Sequence, residues 1–159
     1  MKLTDLKTSK PEDGVYMALK VLPPSNHMLA EYCTENGIEI NLGKFTKRLH
    51  STLIFSRVRG RGTPKVNLDS RYVATVTSFD LFTGQDGVSA NVLVARLSCP
   101  AMVARHLSLM AEHDFTWDHP TFEPHITLSY DWMGGLSILP PIEFDIVLGD
   151  EYMQALSLD

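Results

Sequence analysis

A short tetrad occurs twice in this chain, as His50-Ser51-Thr52-Leu53 in the run LHSTLIF and, 75 positions later, as His125-Ile126-Thr127-Leu128 in PHITLSY. Both runs are brief, apolar and bounded by polar residues or proline, so each reads as a strand. Along a strand the side chains at i and i+2 share a face, which sets each imidazole beside a threonine hydroxyl. One such histidine is usually structural. The same pair on two strands can meet across one cleft, bringing two proton-transfer groups and two hydroxyls to a single anion, a set that phosphodiester cleavage can use without a metal.

The surroundings of the tetrads repeat as well. Residues 14–21, GVYMALKV, read as a strand ended by Pro23-Pro24, and 25–36 carry Met28, Leu29, Tyr32 and Cys33 at helical spacing, with Ser25 or Asn26 as N-cap and Gly37 beyond the end. The second half has a strand over 89–97, then a helix over 99–113 with Met102, Val103, Leu107 and Met110 on one side and Pro100 in its first turn. Each strand and helix precedes a histidine strand, so a duplicated β-α-β unit is expected, one per lobe. Residues 72–83 should pair with the 89–97 strand through a turn at Gly84-Gln85-Asp86-Gly87, and 142–148 with a continuation at 152–158 should supply one or two closing strands. The expected fold is α+β: one domain, 1–159, of two pseudo-symmetric lobes whose two antiparallel or mixed sheets form a V-shaped cleft with helices outside.

Composition narrows the function. No run nears the roughly 18 apolar residues of a membrane span, the N-terminal stretch is polar, and Cys33 and Cys99 make no disulfide framework, so a cytoplasmic protein is expected. The net charge of −5 argues against coating duplex nucleic acid. Eight of the 14 basic residues nevertheless fall between 44 and 71, where Asp69 is the one acid, a local excess of +7 that is expected to face the cleft and draw in a phosphate-rich small ligand. A solvated glycine-rich loop is the alternative reading of RVRGRG.

Rival chemistries lack their parts. There is no HExxH, CxxC or Asp-rich cluster for a metal, no GxSxG for a serine hydrolase, and Gly60-Arg61-Gly62 is too short for a phosphate-cradling loop. No cofactor or metal is expected. His106 and His113, seven apart on the second helix, are expected on a solvated face.

With its two His-x-Thr motifs, their separation and the repeated unit, the sequence resembles the two-histidine (2H) phosphoesterase superfamily. Within it, the small size, GVYMALKV and PHITLSYD are most similar to the phage anti-CBASS phosphodiesterases. The resemblance implies a metal-independent enzyme opening the cyclic di- and trinucleotide messengers of bacterial defence, with His50 and His125 as the acid-base pair and Thr52 and Thr127 holding phosphate oxygens. It implies a substrate-binding role for Tyr16 on the first strand and for an aromatic such as Trp132, with Glu151 and Gln154 as further base-contacting candidates. Alternatives are cleavage of RNA ends or 2′-5′ oligonucleotides, and a sponge that binds cyclic nucleotides without cutting them. No membrane and no obligate protein partner is expected.

Overall fold

A computed structural model of the chain describes residues 2–4, 13–42, 48–82 and 91–157. In order the elements are β1 (Lys2–Thr4), β2 (Gly14–Val21), α1 (Ser25–Glu35), β3 (His50–Ser56), β4 (Arg71–Phe82), β5 (Val92–Ser98), α2 (Pro100–His113), β6 (His125–Ser129) and β7 (Ile146–Ser157). The turn at 84–87, and Lys44 and Lys47 of the basic segment, lie outside the described residues.

The fold is α+β, but the strands form one antiparallel sheet where two were expected. Six follow the order β3-β2-β7-β4-β5-β6, and β1 pairs with β7 off that path. The continuity comes from β4, which pairs with β7 over Arg71–Ala74 and then with β5 over Thr75–Phe82. A twelve-residue strand reaches past one neighbour and serves as the seam of the sheet. The closing segment, expected as one or two strands from 142, is one strand, β7, which begins at Ile146, after the proline pair Pro140-Pro141.

β2 explains the layering. Its odd residues Val15, Met17, Leu19 and Val21 join the main core, while Tyr16 and Ala18 join a smaller cluster with Leu156, Phe55 and Tyr152 on the opposite face. Burial on both faces is why the segment reads as a nearly unbroken apolar run instead of an alternating one. The helices cover the main core, α1 through Leu29, Tyr32 and Cys33 and α2 through Met102 and Leu109. Helix α1 starts one residue earlier than an N-cap at Ser25 would give: Pro24 is the N-cap, and the Ser25 hydroxyl donates back to the Leu22 carbonyl at 2.7 Å.

Although β3 and β6 stand at opposite ends of the strand order, the sheet curls until they meet. The Ser51 hydroxyl donates to the His125 carbonyl at 2.8 Å. Beside this bond, the segment after α1 lies along β6, with the Asn41 amide donating to the Leu128 carbonyl and the Tyr130 amide to the Asn41 carbonyl.

Candidate functional site

Each histidine strand carries a β-bulge, and both bulges fall at the same place in the tetrad. Against β2, Thr52 pairs with Ala18 and Ile54 with Met17, leaving Leu53 as the extra residue. Against β5, Thr127 pairs with Val94 and Ser129 with Leu93, leaving Leu128 as the extra residue. A bulge shifts the alternation by one position. Leu53 and Ile54 therefore both enter the core, whereas His50, Thr52 and Phe55 stay on the other face; likewise Leu128 and Ser129 are buried while His125 and Thr127 remain half-exposed.

The two imidazoles are held identically. Nδ1 of His50 bonds the Arg48 carbonyl at 2.9 Å, and Nδ1 of His125 bonds the Glu123 carbonyl at 3.0 Å, each two residues back along the chain. A carbonyl only accepts, so Nδ1 carries the hydrogen in both rings and Nε2 is left as the nitrogen that exchanges a proton. Burial holds His125 below the ordinary histidine range; its bond to the Glu123 carbonyl acts in the opposite direction, and positive charge at Arg96, His119 and His50 adds to the lowering. The structure thus brings His50, Thr52, His125 and Thr127 onto two strands joined by the Ser51 to His125 bond, and the charge of His50 reaches the His125 imidazole.

Tyr16 belongs to this group. Its hydroxyl lies 3.1 Å from the Thr52 hydroxyl, and its ring meets His50 edge-on at 6.4 Å. Burial and the neighbouring Tyr152 hold its phenol far above the usual range, so it stays protonated and cannot act as a base. Tyr152, 6.3 Å from the Tyr16 ring, escaped the sequence reading, as did Phe82, which packs edge-on against His125 at 5.1 Å. Two cations escaped it too: Lys20 pairs across the ladder with His50, and Arg96 with His125. Their separation of 76 positions (96 − 20), against 75 for the histidines, was a signal in the sequence.

Of the other expected residues, Trp132 and Glu151 stand in the interior, while Gln154 stays beside Tyr16. Trp132 is 8% exposed and packs in the main core, with its ring against Gly134, and presents no open face on which a base could stack. Glu151 is fully buried, takes a two-pronged contact from Arg105 at 2.9 and 3.0 Å and accepts the Asn67 amide at 3.0 Å, so its carboxylate is consumed by structure. Gln154 pairs in register with Tyr16 and is half-buried on the neighbouring strand.

The basic segment does not act as one open surface. Positive φ at Gly60 and Gly62 lets the chain turn against the C-terminus of α2, where the Arg61 amide donates to the His113 carbonyl and its guanidinium reaches the Ala111 and Glu112 carbonyls. Arg57 pairs with Asp118 at 2.9 Å, Arg61 with Asp114 at 3.5 Å and Arg71 with Asp150 at 2.7 Å.

His106 and His113 are buried, at 3% and 5% exposure, contrary to the solvated face expected for them. Both bond backbone carbonyls through Nδ1 and stack on phenylalanines, His106 on Phe122 and His113 on Phe115, which accounts for their burial. His106 donates from Nδ1 to the carbonyl of Leu53, the bulge residue itself, at 2.8 Å. It braces the kink that keeps Thr52 and His50 on the open face. His106→Phe keeps a stacking ring but strands that buried carbonyl, and is expected to cost about 1–3 kcal/mol in chemical denaturation; an unchanged unfolding midpoint would remove the bracing role.

The family described as "Anti-CBASS protein Acb1" matches residues 13–159. The protein of that name from Vibrio phage KVP40 is 33% identical over 161 residues, covering 100% of this chain and 96% of its own. That from Enterobacteria phage T4 is 38% identical over 116 residues, covering 71% and 70%, and that from Acinetobacter phage Ac42 is 29% identical over 141 residues, covering 87% and 83%. The chain belongs to the Acb1 family of anti-CBASS proteins.

Proposed function

We propose that the chain is a 2H-type, metal-independent phosphodiesterase that opens cyclic di- and trinucleotide messengers and thereby blocks CBASS defence in the bacterial cytoplasm. The observation that carries the reading is the matched pair of His-x-Thr tetrads, bulged at the same residue, with both Nδ1 atoms tied to carbonyls and the two strands joined by the Ser51 to His125 bond. Family membership supports it: the relatives are named for acting against CBASS. A duplicated ancestral unit accounts for the matched bulges.

In this reading His125 is the base. Its burial favours the neutral form, so Nε2 can remove the proton of a ribose 2′-hydroxyl, which attacks phosphorus. His50, on the adjacent strand, delivers a proton to the departing 5′-oxygen. Thr52 and Thr127 donate hydrogen bonds to the non-bridging oxygens as charge grows on them. Tyr16, permanently protonated, directs the Thr52 hydroxyl and donates into the same cleft.

The assignment sets the acidic side of the pH profile. A base must be unprotonated, and a lowered pKa keeps it so at lower pH. Activity (kcat/KM) should therefore fall only as pH drops below the usual histidine value of about 6.5. An acidic limb above that value would contradict His125 as base.

The test of the function is turnover by purified protein, in EDTA, of cyclic di- and trinucleotides, a 2′,3′-cyclic mononucleotide and a short RNA ending in a cyclic phosphate. Cleavage of the cyclic oligonucleotides is expected. Cleavage of the RNA alone would replace the substrate class, and binding without turnover would make the protein a sponge.

A further inference from the structure

The two halves of the site are matched in their histidines but not in their cations. Lys20 and Arg96 occupy equivalent places, each directly across the ladder from its histidine, where paired side chains stand on one face. Arg96 is already spent. Its guanidinium binds Asp80 at 2.7 Å and Glu123 at 2.9 Å, and it holds the Asp80 carboxyl below the usual carboxylate range. Lys20 is not neutralised in this way: its ammonium lies 6.0 Å from the centre of the Tyr152 ring, a weak cation-π contact.

The carboxylates nearest in chain position are engaged elsewhere. Lys20 pairs with Gly149 of β7, and the bulge there places Asp150 and Glu151 between Gly149 and Tyr152. Asp150 is held by Arg71 and Glu151 by Arg105. The alternation along β2 sets Lys20 on the same face as Tyr16 and Ala18, which border His50 and Thr52. In a chain of net charge −5, that face therefore holds a half-buried ammonium whose donors are not taken by a carboxylate among the described residues.

A cyclic dinucleotide brings two phosphodiesters into the cleft. One is gripped by the histidines and threonines; the other, across the ring, still needs a counter-charge, which hydroxyls do not supply. We propose that Lys20 binds this second, non-scissile phosphate and so selects ligands with a ring of two or more phosphates over those with a single phosphodiester. The inference rests on the phosphodiesterase reading above. A mobile ammonium on a four-carbon stem suits a phosphate whose position differs between two- and three-nucleotide rings, as a guanidinium fixed between two carboxylates does not.

The experiment compares wild-type protein with Lys20→Met and Lys20→Arg on a cyclic dinucleotide that the wild type cleaves. Loss of a charge-assisted contact should raise KM about 10- to 100-fold in Lys20→Met, with kcat little changed, and should lower by about one the slope of log affinity against log salt. Lys20→Arg should restore most of the affinity. In a His125→Ala background, binding of the cyclic dinucleotide should weaken on Lys20→Met while that of the matching dinucleoside monophosphate, with one phosphate, does not. Equal weakening of both ligands, a loss confined to kcat, or unchanged KM and salt slope would overturn the assignment. A wild-type protein that cleaves no cyclic dinucleotide would instead overturn the phosphodiesterase reading, so the two failures are distinguishable.

Discussion

His50→Ala and His125→Ala are each expected to lower kcat for a cyclic dinucleotide by on the order of 10²–10⁴, and to leave the protein folded. The kinetic loss follows from the roles: one imidazole begins the transfer and the other ends it, and no neighbouring group replaces either. Tyr16, whose ring meets His50 edge-on, is held protonated by burial and cannot act as a base. The structural tolerance follows from position. Both histidines are half-exposed, and the one protein hydrogen bond each makes through Nδ1 goes to a carbonyl two residues away, which water can satisfy once the ring is gone. The double variant should be scarcely slower than either single one, because the two groups act as a unit. Rate measurements paired with thermal unfolding check this; a histidine variant that retains wild-type kcat would remove that residue from the chemistry.

Glu151→Ala should have the largest effect on stability, about 3 kcal/mol, although the residue does no chemistry. Its carboxylate is fully buried and accepts three hydrogen bonds, two from the Arg105 side chain and one from the Asn67 amide. Truncation leaves the Asn67 amide without its acceptor and the half-buried Arg105 guanidinium without its counter-charge, close to the circumstance in which breaking a buried pair costs about 3–5 kcal/mol. The lower end applies because the Arg105 side chain is 25% exposed and recovers some hydration. Chemical denaturation measures the loss, while kcat of the protein that remains folded should be close to wild type. A stable but inactive variant would return Glu151 to the site, where its place on the last strand first suggested it.

What could be read from the sequence is what repeats or alternates. The histidine strands, both helices and β2 were legible because their periodicity is local and strong, and β2 was bounded to the residue at Gly14–Val21. Pairing of the two His-x-Thr faces followed from their recurrence 75 positions apart. The single continuous sheet was not legible, because it depends on β4 changing partners midway, a tertiary event without a local signature. The burial of Trp132 and Glu151 was not legible for a related reason: residue type suggests chemistry, but burial is set by the tertiary fold. Arginines of the loop at 57–61 were read as an open field because their partners, Asp114 and Asp118, lie more than fifty positions away. Lys20 and Arg96 carried a visible spacing signal, but only the register of the ladders sets them across from the histidines.

The central claim is that two imidazoles act on one phosphorus, with the ligand's own 2′-hydroxyl as nucleophile. A cyclic dinucleotide with ribose at one linkage and 2′-deoxyribose at the other tests it most directly, with the products identified by mass spectrometry in the presence of EDTA. Scission at the ribose linkage alone, giving a linear dinucleotide ending in a 2′,3′-cyclic or 3′-phosphate, is the predicted result. Cleavage of the deoxyribose linkage at a comparable rate would contradict it and make water the nucleophile.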